Sequence, residues 1–66
     1  MTVYLNEKPV ETARNITLSD FLANQKVPSQ GVAVAVNQKV IPRDQWASTQ
    51  LADQQSVLLI HIVSGG

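Results

Sequence analysis

SVLLIHIVSGG, residues 56 to 66, carries the strongest strand signal in the chain and an unusual ending. From Val57 to Val63 every residue but His61 is apolar. A near-continuous run of this kind predicts a central strand covered on both faces. Leu58, Ile60 and Ile62 share one face; Val57, Leu59, His61 and Val63 share the other. The run stops at Ser64-Gly65-Gly66, which ends the sequence and holds two of its three glycines.

Upstream of this strand the pattern is short and mixed. Met1 to Asn6 alternates, with Val3 and Leu5 opposite Thr2, Tyr4 and Asn6, as a half-buried strand does. Asn6-Glu7-Lys8-Pro9 predicts a polar turn, and Val10 to Ala13 a second strand closing a hairpin. Thr17 is placed to cap a helix whose apolar face is Leu18, Phe21 and Leu22. That helix is expected to run to Lys26, a cation suited to its C-terminal end, and to stop before Pro28. Ser29-Gln30-Gly31 then forms a loop. Val32 to Val36 predicts a third strand with valines on one face and alanines on the other. Asn37-Gln38-Lys39 turns it into a short strand, Val40-Ile41, which Pro42 ends by removing a backbone donor. Arg43 to Trp46 suits a single helical turn, and Trp46, the only tryptophan, is expected to anchor the excursion around it. The order is β-β-α-β-(β)-β, an α+β domain of four to five strands with one main helix on one face.

One helix covers one face of a sheet. If it covers Leu58, Ile60 and Ile62, then Val57, Leu59 and Val63 around His61 form a partly exposed apolar patch leading to the tail. Such a patch suits a partner protein; the alternative is that loops from the Gln38 to Leu51 region cover it.

The composition removes whole classes of function. Sixty-six residues allow one domain, here 1–66 with a flexible tail at 64–66. Five Lys and Arg balance five Asp and Glu, so no excess cation is present to neutralise nucleic-acid phosphates. With no cysteine and one histidine, no thiolate nucleophile, disulfide or His-based metal cluster can be built. The longest apolar run, Val32 to Val36, is five residues, too short for a membrane span. MTVYLNEK lacks the apolar core of a signal peptide, and the expected compartment is the cytoplasm. A core this small also leaves no room for an enzyme-sized pocket. Glu7 and Glu11 read as solvated hairpin residues and Asp20 as part of the helix cap, so no catalytic carboxylate pair is expected.

Chemistry is left to the chain end. Without Cβ atoms, a Gly65-Gly66 end threads a narrow channel and presents its carboxylate inside another protein. A carboxylate is a poor electrophile until one oxygen becomes a leaving group, and adenylation by ATP is the natural way to make it one. The chain has no Gly-rich phosphate loop, so the nucleotide belongs to a partner.

The β-β-α-β-β order with a terminal Gly-Gly looks like the ubiquitin-like β-grasp. Within it, VAVNQKVIPRDQW (residues 34–46) and SVLLIHIVSGG closely resemble the ThiS family, the sulfur carriers of thiamin biosynthesis. The resemblance covers nearly the whole chain; Ser64 stands where small residues such as Ala are common. It implies that an E1-like adenylyltransferase, using ATP and Mg, adenylates Gly66. A cysteine desulfurase or other persulfide donor would then convert it to a thiocarboxylate, with Ser64 and Gly65 threading the partner site. Thiazole synthase would take the sulfur. The chain itself would be a co-substrate that binds no cofactor or metal. Two alternatives remain at this level: a carrier for another route, similar to the small subunit of molybdopterin synthase, and a ubiquitin-like binding module with an inert tail.

Overall fold

The computed structural model describes residues 1–28 and 30–62. Its elements are β1 (Thr2–Leu5), β2 (Lys8–Glu11), α1 (Leu18–Asn24), β3 (Val32–Val36), β4 (Lys39–Val40), a 3-10 helix (Arg43–Ser48) and β5 (Ser56–His61). Five strands form one mixed sheet in the order β2-β1-β5-β3-β4. β5 is central, parallel to β1 and antiparallel to β3.

Each hairpin turns on two residues led by asparagine. Asn6 and Glu7 have φ of 48° and 71°; Asn37 and Gln38 have 49° and 71°. Both positive values match the type I′ turn, whose twist fits flanking strands and which favours Asn-Gly. The second residue of each turn therefore sits in a region that L side chains resist. Glu7 and Gln38 are exposed and hold no side-chain hydrogen bond among the described residues. Glu7→Gly and Gln38→Gly are each expected to stabilise the fold by about 0.5–1 kcal/mol. A thermal melt checks this, as a rise in Tm of several degrees.

The same asparagines grip β5 from its two sides. Asn37 Oδ1 accepts from the Ser56 N–H at 2.9 Å, and the Asn37 N–H donates to the Ser56 carbonyl at 2.8 Å. Asn6 Oδ1 accepts from the Leu59 N–H at 2.8 Å, and the Asn6 N–H donates to the Val57 carbonyl at 2.9 Å.

α1 begins as expected: the Thr17 hydroxyl accepts from the Asp20 N–H at 3.1 Å. It ends earlier than the sequence suggests. Asn24 is its last residue, Gln25 caps it, and Lys26 turns left-handed at φ 59°. The Lys26 N–H already donates to the Ala23 carbonyl, so the chain tightens out of the helix before Pro28. The segment after the 3-10 helix clips to the start of α1: the Leu18 N–H donates to the Thr49 carbonyl and the Leu51 N–H to the Ile16 carbonyl. Trp46 anchors this excursion, buried, with Nε1–H donating to the Ile41 carbonyl at 2.9 Å.

The core lies between α1 and one face of the sheet. Val3, Val34, Val36 and Val57 meet Leu18, Phe21 and Leu22, with Trp46 and Leu51 closing the side. This reverses the expected faces of β5. Val57 is fully buried, and Leu59 packs against the core. Leu58, Ile60 and Ile62 are instead 46%, 45% and 56% exposed. The register gives the reason. Val57 lies opposite Val36 and Leu59 opposite Val34, while Leu58 and Ile60 lie opposite Ala35 and Ala33. β1 agrees, with Leu5 beside Val57. The helix packs on the face carrying Val3 and Leu5 of β1 and the valines of β3, and β5, apolar on both faces, takes its inward side from these neighbours. The expected double covering of β5 is corrected with it: the strand is central but covered on one face only.

Candidate functional site

The uncovered face of the sheet divides in two. Across β1 and β2 it is polar: the Thr2 hydroxyl donates to the Glu11 carboxylate, and the Tyr4 hydroxyl donates to Gln54 Oε1 at 3.3 Å. Across β5, β3 and β4 it is apolar. Leu58 and Ile60 stand beside Ala35 and Ala33, and Val40, 61% exposed, pairs with Ala35 from the far side. The small alanines lie between Val40 on one side and Leu58 and Ile60 on the other. Ile62, just past the end of β5, follows Leu58 and Ile60, its N–H donating to the Gly31 carbonyl at 2.8 Å. This strip runs along β5 in the direction of the C-terminus.

The partner surface expected from the sequence therefore does not come together. Val57 cannot meet a partner because no part of it reaches solvent. Leu59 is half-buried against the core. His61 is exposed, opposite Val32 at the rim of the core face. Val63, Ser64, Gly65 and Gly66 lie outside the described residues. Leu58, Ile60, Ile62 and Val40 form the apolar strip instead. The alternation of Val and Ala in β3 is the signal that could have found it, since the thin face of β3 had to be the one left open.

The remaining features offer no rival site. A depression of about 420 Å³ is lined by Met1, Arg14, Gln50 and Asp53 among others. It lies at the start of β1, and because β1 and β5 are parallel this is the pole opposite the end of β5. The Asp53 carboxylate there accepts from the Thr2 N–H at 2.8 Å, which holds its carboxyl below the usual range. That is the role of a strand tether rather than an acid–base group. Among the described residues no group of three His, Asp or Glu side chains is placed to hold a metal ion. None of the described helices is long and apolar enough to cross a membrane.

Comparison with known families matches residues 3–66 to the ThiS family. The chain belongs to the ThiS family. It is 30% identical over 66 residues to the sulfur carrier protein ThiS of Escherichia coli (strain K12), covering all of both chains. It is 29% identical over 63 residues to the sulfur carrier protein ThiS of Bacillus subtilis (strain 168), covering 94% of this chain and 96% of that one. Among solved structures, the crystal structure of the thiamine biosynthesis protein ThiS from Geobacter metallireducens superposes with a TM-score of 0.88 at 26% identity, covering both chains fully. The mixed five-stranded sheet with one helix is thus the ubiquitin-like β-grasp of this ThiS family.

Proposed function

We propose that this chain is a sulfur carrier of thiamin biosynthesis, acting as a protein co-substrate whose reactive atom is the Gly66 carboxyl carbon. The match to the ThiS family from residue 3 to residue 66, the Gly-Gly end included, is the observation that carries this reading. In this scheme an ATP-dependent adenylyltransferase binds the nucleotide and Mg. A Gly66 carboxylate oxygen attacks the α-phosphate, and pyrophosphate leaves. A persulfide from a cysteine desulfurase system attacks the acyl carbon, and AMP leaves. A second thiol then cleaves the sulfur–sulfur bond, and Gly66 keeps the terminal sulfur as a thiocarboxylate. Thiazole synthase accepts that sulfur.

The chain's own residues supply the handle. The adenylyltransferase is the partner that fits the Leu58–Ile60–Ile62 strip, because the strip leads along β5 towards the residues that enzyme must grip. Exposed apolar strips of this kind favour protein contact over solvent. The absence of cysteine keeps transferred sulfur off the side chains, so a carried sulfur resides on the chain end.

Intact-mass measurement after incubation with ATP, the adenylyltransferase and a persulfide donor tests the proposal. A gain of about 16 Da, one oxygen exchanged for sulfur, confined to the C-terminal peptide is expected. An unchanged mass supports the inert-tail module instead.

A further inference from the structure

The lane beside β5 that β1 occupies is vacated part-way along. β1 pairs with β5 only at Tyr4 with Ser56 and Leu5 with Val57. At Asn6 the backbone turns away into the hairpin, and the Asn6 side-chain oxygen takes the place of a main-chain acceptor for the Leu59 N–H. Past that point β5 continues to His61 on its β3 side, where His61 lies opposite Val32 and the Ile62 N–H reaches the Gly31 carbonyl. On the β1 side no described strand continues. The N–H groups of residues 58, 60 and 62 point to β3, so those of 57, 59 and 61 point the other way. Among the described residues the Leu59 carbonyl and the His61 N–H have no partner on that side. The sheet thus has an internal edge, open only over the last residues of its central strand.

We infer that this open edge, from the Leu59 carbonyl to the His61 N–H, receives an added strand from the enzyme that activates the chain end. The inference rests on the proposed carrier function and names how the tail is held. A backbone edge recruits an extended segment through main-chain hydrogen bonds, with little dependence on side chains. A segment lying in the lane beyond Asn6 enters it where only five residues of chain separate His61 from the reactive end, so the contact that docks the domain also guides the approach to Gly66. A second copy of this chain fits less well. Its own open edge is equally short, and the two Asn6–Glu7 turns would be brought end to end.

The test is removal of a single donor. A chain of 66 residues is accessible by chemical ligation, and an ester replacing the Ile60–His61 amide deletes the His61 N–H while keeping every side chain. That N–H makes no hydrogen bond among the described residues, so the cost to the free fold is confined to the weaker ester carbonyl of Ile60 facing Ala33, and the melt should fall by no more than a few degrees. KM for ATP-dependent adenylation should rise about five- to tenfold, the effect of one lost hydrogen bond. In parallel, amide exchange of His61, fast in the free protein, should slow at least tenfold in the complex with the adenylyltransferase. An unchanged KM together with unprotected His61 overturns the edge contact while leaving the carrier function standing. Protection that appears with rising concentration of the chain alone overturns it in favour of a second copy. Failure of the unmodified chain to be adenylated overturns both readings.

Discussion

Val57→Asp is expected to leave no folded protein, whereas Ile60→Asp folds normally and charges poorly. The two positions are three residues apart on β5 and so face opposite sides of the sheet. Val57 has no solvent exposure, and among the described residues no buried polar group is present to receive a carboxylate. An unpaired charge there costs several kcal/mol. A domain of this size holds roughly 3–5 kcal/mol in total, so the substitution consumes all of it. Ile60 is 45% exposed, and an aspartate there keeps its hydration. If the strip is where the adenylyltransferase sits, losing a central apolar contact and placing a charge in it removes about 2 kcal/mol of binding, near thirtyfold in KM. Circular dichroism melts and adenylation kinetics on the two variants provide the check. A folded Val57→Asp would reverse the assignment of faces. An Ile60→Asp chain that charges as well as wild type would remove the strip from the docking surface.

The second large effect is expected at the chain end. Gly65→Val should leave the melt unchanged while lowering the rate of adenylation by about 100-fold, because a branched Cβ in a narrow passage displaces the reacting carboxylate by about 1 Å. One residue added after Gly66 should block charging more completely, since it moves the reactive carbon by about 3.5 Å. Pyrophosphate release with the purified adenylyltransferase measures both. Equal rates for Gly65→Val and wild type would mean that the end is not threaded through a channel, and the role of Gly65 would have to be withdrawn.

Gly65 and Gly66 are legible in the sequence as residues, and so are the Thr17 cap, the Phe21–Leu22 helix face and the Trp46 anchor; the hairpins are legible in kind but not in bounds, since each turn is only two residues long and puts Lys8, Pro9 and Lys39 in strands while Thr12, Ala13 and Ile41 fall outside them. Each is a local pattern: a turn, a cap, a periodicity. The inward face of β5 is not legible from β5, since the strand is apolar on both sides and period two gives no preference between them. It is fixed by neighbours, through the pairing of Val36 with Val57 and Leu5 with Val57. Leu51 is hidden for a related reason. It stands alone in a polar stretch, yet its N–H docks on the Ile16 carbonyl and its side chain joins the core. The internal edge at His61 is invisible as well, because it depends on where β1 ends relative to β5, which neither strand's own residues declare.

The parallel course of β1 beside β5, with β3 antiparallel on the other flank, sets how the domain answers to force. Whatever seizes the final residues tugs along the axis of the strand that precedes them. Rungs lying across that axis are strained together rather than peeled one after another. A pull on that strand's end is therefore shared among its cross-strand hydrogen bonds to β1 and β3.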